Sequence, residues 1–337
     1  MSDLREVNIS MPLSIVPFDS RHYPALANLL TEIYSDHYFD PEGLQSHDDS
    51  VAGDCKFQRW IGLVGDTIVA FGEYRQTPEM YDPNRFILNM AVHKNYRCRG
   101  IGRQIYAHVV SELNAFQPTV LRATVRADSP HSVAFLEKRN YVCTLRLCEW
   151  HLELEKAEVS DSAAKIGMEQ TAGFTVRTVE DLRTDPRRDR KLYELISLLR
   201  EDVPMPERPT KTDFTQFVTG FLADPSYDPE AAFVAVQAGE YIGYSDLRDD
   251  GAGSLYGGLT GVRREYRRQG IGTALKLQGI HYGRSQGCQW FKTFSAGENV
   301  SIGRINRKFG FVPKFEWMHF EQLCSQYSQG AAAASRT

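Results

Sequence analysis

The chain has 337 residues, with 39 basic and 43 acidic side chains and a formal net charge of −4. That length predicts two domains, and the slightly acidic balance excludes the broad basic footprint of a dedicated nucleic-acid binder. Apolar residues at 42% and charged residues at 24% are ordinary for a globular protein, so neither disorder nor a coiled coil dominates. No apolar run approaches the ~18–20 residues of a membrane helix, and the polar start MSDLREVNIS lacks the apolar core of an export signal. The six cysteines (Cys55, Cys98, Cys143, Cys148, Cys288, Cys324) form no C-x-x-C pair, which argues against a zinc ribbon or a redox pair. Reduced thiols in a cytoplasmic protein are the expectation.

In chain order, Ser14–Phe18 reads as an opening strand and Tyr23–Tyr34 as a helix. Trp60–Val64 and Thr67–Tyr74 form a hairpin about Gly65-Asp66. A strand over Phe86–Val92 runs into a glycine loop that opens a helix. Val120–Arg126, a short helix His131–Arg139 and a last strand follow. Glu155–Ala172 is polar and patternless, a linker. The same order then returns: strand Phe174–Val179, and helix Arg190–Arg200 with Leu192, Leu195, Ile196 and Leu199 on one face. Ala232–Gln237 and Tyr241–Leu247 flank Ala238-Gly239-Glu240. Leu255–Val262 leads into a second glycine loop, followed by strand Trp290–Ser295, helix Ser301–Phe309 and a final strand. Interleaved strands and helices predict a mixed α/β fold.

The repetition extends to single residues. Tyr96-RCRGIG ends at Gly102 and Tyr266-RRQGIG at Gly272, and Gly100 and Gly270 stand 170 residues apart. The same offset carries Val92 onto Val262, Lys138 onto Lys308 and Tyr141 onto Phe311. A period this long is a duplicated domain rather than a solenoid repeat. Residues 1–154 and 173–325 are the expected domains, 155–172 the linker and 326–337 a tail.

Each loop lies between a strand and a helix, where unpaired backbone N–H groups and the positive end of the helix dipole seat phosphate oxygens. Arg97, Arg99, Arg267 and Arg268 add charge, and the Thr273 hydroxyl adds a hydrogen bond. Neither copy has the Lys-Ser/Thr of a Walker loop. Ile105 and Leu275 stand where a dinucleotide fingerprint needs a third small residue.

The pattern R-x-x-G-x-G after a strand ending in Val resembles motif A of the GNAT acyltransferase superfamily, and Asn299…Gly310-Phe311 resembles its motif B. The resemblance implies two tandem domains, each a mixed, mostly antiparallel sheet flanked by helices. It also implies acetyl-coenzyme A as acyl donor. Its pantetheine arm would lie along Met90, Ala91 and Val92 or Thr260, Gly261 and Val262. Its pyrophosphate would sit on Arg97, Cys98, Arg99, Gly100, Ile101, Gly102 and Arg103, or on Arg267, Arg268, Gln269, Gly270, Ile271, Gly272 and Thr273, with Asn299 nearby. Gly310 and its counterpart Asn140 suit left-handed helix ends.

Acetyl transfer to an amine needs a base for the amine, stabilisation of the carbonyl oxygen and an acid for the leaving thiolate; it requires neither a metal nor an acyl-enzyme. The family's usual tyrosine acid is replaced by Leu136 in the first half and Asn306 in the second. Asn306 can donate a hydrogen bond but no proton. Asp246, Glu73, Tyr256 and His281 are the remaining acid–base candidates, with Asp246 and Tyr256 favoured. His47-Asp48-Asp49 reads as a solvated loop rather than a metal cluster. The second half, with Thr273 where the first has bulky Arg103, is the expected catalyst. The leading function is N-acetylation of a small-molecule amine, without a nucleic-acid or membrane partner. A coenzyme-binding scaffold with inactive sites and a protein lysine acetyltransferase are the alternatives.

Overall fold

The computed structural model describes residues 12–34, 39–49, 54–157, 159, 173–205, 210, 212–224, 226–249, 253–297 and 299–324. Most of the expected linker, 160–172, and the tail, 326–337, lie outside the described residues. The elements of the first half are β1 (Leu13–Pro17), α1 (Tyr23–Ile33), α2 (Pro41–Asp49), β2 (Phe57–Val64), β3 (Thr67–Arg75), β4 (Arg85–Val92), α3 (Ile101–Leu113), β5 (Val120–Arg126), α4 (Pro130–Glu137) and β6 (Val142–Glu153). The second half has β7 (Thr175–Thr178), α5 (Arg188–Arg200), β8 (Ala232–Gln237), β9 (Glu240–Asp249), β10 (Ser254–Val262), α6 (Ile271–Ser285), β11 (Trp290–Ala296), α7 (Val300–Lys308) and β12 (Val312–Leu323). Between α5 and β8 a single helical turn, Phe214–Gln216, widens into π-type turns over Phe217–Leu222.

The apolar periodicities are realised as read. Leu192, Leu195, Ile196 and Leu199 of α5 are all buried, packed with Tyr241 and Tyr244 of β9. Gly65, Ala238 and Gly239 take positive φ in the two hairpin turns, and Asn140 and Gly310 (φ 62° and 85°) end their helices left-handed. Pairing is antiparallel through β1–β2–β3–β4, through β7–β8–β9–β10 and between β6 and β11, and parallel where β4 meets β5 and β10 meets β11.

One expectation fails. His47-Asp48-Asp49 is the end of helix α2, not a loop. Pro41 begins this helix and the Asp40 carboxylate accepts the Gly43 N–H at 2.7 Å, a start signal that the polar composition hid. Asp48 is also not solvated. It pairs with Arg59 at 2.6 Å, each side chain 5% exposed.

The chain forms two compact units. The first holds residues up to Thr124, Leu136–Val142 and Phe320 onward; the second holds Val125–Phe135 and Cys143–His319. These differ from the sequence halves because the two long last strands do not stay with their own half. Most of β6 belongs to the second unit, where it pairs with β11 from Trp290↔Glu153 to Ala296↔Leu147. Conversely, β12 finishes in the first unit. There Arg122 Nε donates to Glu321 at 2.9 Å and the Cys324 N–H to the Thr119 carbonyl at 2.9 Å. The Gln322 amide donates to the Arg139 carbonyl at 2.5 Å.

Phe320 is only 1% exposed, and burying such a side chain contributes about 2 kcal/mol. Ending the chain after His319 is therefore expected to destabilise the first unit and to speed hydrogen exchange at Val120–Arg122 of β5. Unchanged protection of those amides would show that the strand end does not support this unit.

Candidate active site

The two glycine loops are the same object built twice. Gly100 and Gly270 cap α3 and α6 with φ of 81° and 85°, a left-handed conformation that glycine takes without strain. Two residues earlier, Cys98 and Arg268 are also left-handed, at 61° and 64°. Arg97 Nε donates to the Val92 carbonyl and Arg267 Nε to the Val262 carbonyl, both at 3.0 Å. Each arginine thus ties the loop back to the end of its strand. The first-turn N–H groups of Ile101, Gly102 and Arg103, and of Ile271, Gly272 and Thr273, have no carbonyl one turn back to bond. They make an anion seat, and a Cβ at Gly100 or Gly270 would meet no atom within 4 Å. Cys98, Arg99, Arg103, Arg268 and Gln269 are exposed around the two seats. Gly272 has a different purpose: a Cβ there would stand 3.3 Å from Ile305, so this glycine lets α7 lie against α6.

The strands entering the loops share a second feature. β10 pairs with β11 only over Ser254–Tyr256, opposite Trp290–Lys292. Beyond that point β10 continues to Val262 against β9 alone, while β11 continues to Ala296 against β6 alone. In the first unit β4 pairs with β5 only over Arg85–Ile87 and runs on through Met90, Ala91 and Val92 against β3. Each sheet therefore forks, and the far side of each loop-bound strand carries backbone groups without a strand partner. Such groups need a partner of their own, and an extended amide-bearing chain supplies one by strand-like addition. The residues thus suit a phosphate-bearing ligand with an extended amide arm. Thr260 is held by a 2.9 Å hydroxyl contact with Ser245. Gly261 admits Leu199, whose side chain would lie 3.0 Å from a Cβ.

The second loop has an anchor that the sequence reading missed. Asp202, just after α5, pairs with Arg264 at 2.5 Å and also with Arg267. The hydrogen bonds from Arg264 and Arg267 hold its carboxyl below the usual carboxylate range. Nothing in the local sequence marks this pairing, because its partners are some sixty residues away.

Asp246 stands on β9 behind an irregularity of β10 between Gly257 and Thr260. A Cβ on Gly258 would come within 2.6 Å of its carboxyl, so only glycine permits this packing. The Leu259 N–H contacts the carboxylate, whereas Oδ1 is buried without a hydrogen-bond partner. Burial raises its pKa above the ordinary value. Tyr256 lies at the fork, its ring parallel to Phe294 at 6.4 Å and beneath the Lys292 ammonium at 5.0 Å. Asn306 is 0% exposed, with both amide atoms unbonded inside the core. Its side chain is fully enclosed and offers a ligand no exposed atom. Asn299 caps α7 by accepting the Ile302 N–H at 3.3 Å.

The corresponding face of the first unit is closed by charge. Glu73 on β3 accepts from Arg59 at 2.6 Å and from Asn89 at 2.8 Å, while Asp48 accepts from Arg59 and from the Tyr23 hydroxyl at 2.9 Å. Glu73 is thereby committed to structure. Among the described residues no cluster of His, Cys, Asp and Glu could hold a metal ion. Nor, among them, is any helix long and apolar enough to cross a membrane.

The family model for the acetyltransferase (GNAT) family matches the chain twice, over residues 23–141 and 192–311. Among solved structures, a tandem GNAT protein from the clavulanic acid biosynthesis pathway aligns with a TM-score of 0.73 at 19% identity, covering 93% of this chain and 98% of its own. A GCN5-related N-acetyltransferase from Sphaerobacter thermophilus aligns at 0.71 and 17% identity, covering 93% and 97%. A glucosamine N-acetyltransferase region of a fungal β-N-acetylglucosaminidase aligns at 0.68 and 13% identity, covering 93% and 38%. At these identities the structural likeness establishes the fold, and the double family match establishes the lineage. The chain belongs to the acetyltransferase (GNAT) family, carrying two such domains in tandem and the acyl-coenzyme A dependent transfer chemistry of that family.

Proposed function

We propose that the protein is an acetyl-coenzyme A dependent N-acetyltransferase acting on a small-molecule amine, with its second domain as the catalyst. The observation that carries this reading is the contrast between the two acceptor-side carboxylates. Glu73 is saturated by Arg59 and Asn89, whereas Asp246 keeps a buried, unbonded oxygen beside the fork. A spent carboxylate cannot exchange protons; an unspent one can.

The coenzyme, when bound, supplies the activated acetyl group. The amides of Gln269–Thr273, with Arg268, would hold its pyrophosphate, and the open side of β10 from Thr260 to Val262 its amide arm. Arg267 keeps this loop in place through Val262 and Asp202. In the reaction the ammonium first gives one proton to solvent; the neutral amine nitrogen then bonds to the acetyl carbon as the carbon–sulfur bond breaks, and the second proton lost by nitrogen is matched by the one the thiolate takes up, leaving an amide and a free thiol. Asp246 is suited to the acid's part that the absent tyrosine leaves open, since burial favours its protonated form. Tyr256 lines the fork beside it and shapes the acceptor's approach.

The first domain retains its loop and fork, so coenzyme binding without turnover there is the reading its closed carboxylate favours. A scaffold with two silent sites is the competing function. It predicts coenzyme binding without acetylation of any amine in a broad panel, and product formation excludes it.

Gly270→Ala forces a Cβ into a left-handed position, a strain of about 1–2 kcal/mol, and displaces the loop amides. Calorimetry is expected to find coenzyme A affinity at the second site reduced about tenfold or more, with the fold retained. An unchanged affinity would move the binding site elsewhere.

Asp246→Asn is expected to cut turnover at least tenfold while stabilising the protein at neutral pH. The sign follows from the raised pKa: the folded state resists ionising Asp246, so stability is lost as pH rises above the ordinary value of 3.8. The variant lacks that loss. Its melting temperature should exceed the parent's at pH 7.5 and match it near pH 4; equal values at both would refute the buried-carboxylate assignment.

Cys98 is exposed on the first loop, at the phosphate end. Cys98→Ala is expected to retain full activity, and mass spectrometry during turnover to find no acetyl-enzyme. Lost activity with intact coenzyme binding would overturn direct transfer.

A further inference from the structure

One polar group on the second unit's sheet has no part in the mechanism so far. On β6, the Glu149 carboxylate receives two hydrogen bonds, from His151 Nε2 at 2.7 Å and from the Trp317 indole N–H at 2.7 Å. Burial opposes its charge, yet these bonds outweigh burial and hold its pKa below the ordinary value, so the carboxylate is ionised and can only accept. Nε2 must therefore be the donor, so that whenever the ring is neutral Nδ1 presents a bare lone pair. Among the described residues that nitrogen makes no hydrogen bond.

Strand register puts this imidazole beside the fork. Tyr256 and Lys292 form the last β10–β11 pair, and Lys292 pairs in turn with His151. Residues opposite one another share a face, so Asp246, Tyr256, Lys292 and His151 look the same way. His151 stands two strand spacings, about 10 Å, from Tyr256. Trp290 and Phe294, two residues to either side of Lys292, share this face and are 36% and 39% exposed. An exposed pair of large rings next to a fixed anion and a proton-accepting ring is a site with a definite preference.

We propose that this face is the acceptor site, that its substrate is a primary ammonium carried on an aromatic or apolar body, and that His151 is the base that deprotonates it. The proposal rests on the N-acetyltransferase reading. Nδ1 takes one proton from the ammonium, leaving a neutral amine with a free lone pair and an imidazolium stabilised by Glu149. The imidazolium returns the proton to water between turnovers. Glu149 is a positioning residue: it fixes the tautomer and supports the charged ring. The Trp290 ring, 6.2 Å from the imidazole, faces the body of the substrate there, and a planar aromatic body buries more apolar area against it than a polyhydroxylated sugar amine does.

The charged groups around His151 are Glu149 and Glu153 on its own strand and face, Lys292 on β11, and Arg126 and Lys314, which stand 3.7 and 5.7 Å from the Phe315 ring that His151 meets edge-on. Of these only Glu149 is hydrogen-bonded to the ring, while Glu153 is engaged by Lys156 at 2.5 Å. The acid limb of the pH profile should thus belong to the His151–Glu149 pair.

The test uses the full chain, 2-phenylethylamine and, as a contrast, glucosamine. With coenzyme A present and no acetyl donor, 15N spectra of the histidine rings should have the His151 signals, identified by their loss in His151→Gln, move saturably with 2-phenylethylamine and not with glucosamine. This readout needs no turnover, so a dead enzyme that gives the response keeps the site and loses only the acetyltransferase reading. In the active enzyme, His151→Gln should lower kcat/KM for 2-phenylethylamine about a hundredfold and abolish its acid limb, with coenzyme A affinity unchanged. Glu149→Gln should shift that limb to lower pH. Silent His151 signals at saturating amine, or an unaltered pH profile in His151→Gln, would overturn the proposal.

Discussion

A β-strand that parts from its neighbour must find another partner for half its backbone, and this constraint organises both domains. β4 leaves β5 after Ile87 and β10 leaves β11 after Tyr256. Each strand then delivers the chain into a left-handed glycine and a helix start, where further amides stand unbonded. Backbone groups alone therefore leave a long unpaired edge ending in a helix start suited to an anion, the edge proposed above to bind the coenzyme. Side chains serve to keep that edge in position: Arg97 and Arg267 hook the loops to Val92 and Val262, and Asp202 braces the second hook. Because the loop geometry is carried by main chain, the loops differ at Cys98 and Arg268 and still share one conformation.

The features legible in the sequence were those set by local periodicity and by special backbone angles. The stripe of α5, the hairpin turns at Gly65 and Ala238-Gly239, and the helix ends at Asn140 and Gly310 all depend on residues near one another in the chain. The duplicated loops were legible for the same reason. The forks were not, since a missing hydrogen bond between distant strands leaves no mark on either strand's pattern. Helix α2 was hidden by its polar composition: it contributes no apolar stripe and is secured by one cap and one buried ion pair. Asn306 misled the reading in the opposite sense, because a polar residue at a position of known chemistry proved to be wholly internal.

The two domains also illustrate how one scaffold diverges through buried charge. In the first, Arg59 is enclosed by Asp48 and Glu73, an arrangement that becomes strongly destabilising if any single partner is lost. In the second, the equivalent region holds tyrosines and a lone carboxylate. A carboxylate kept without full compensation costs stability, and such costs concentrate at sites of chemistry. Duplication makes the expense tolerable, since one copy is free to become rigid while the other keeps a carboxylate uncompensated.

The route of β12 ties folding to the order of synthesis. Until Phe320–Cys324 have left the ribosome, β5 has an open edge, although everything else in the first unit was made nearly two hundred residues earlier. An uncovered edge is a template for pairing with any extended chain nearby. The nascent first unit must therefore wait, partly finished, for the end of β12. Conditions that slow translation of the second half would lengthen that exposure, so the yield of soluble protein depends on elongation rate as well as on final stability.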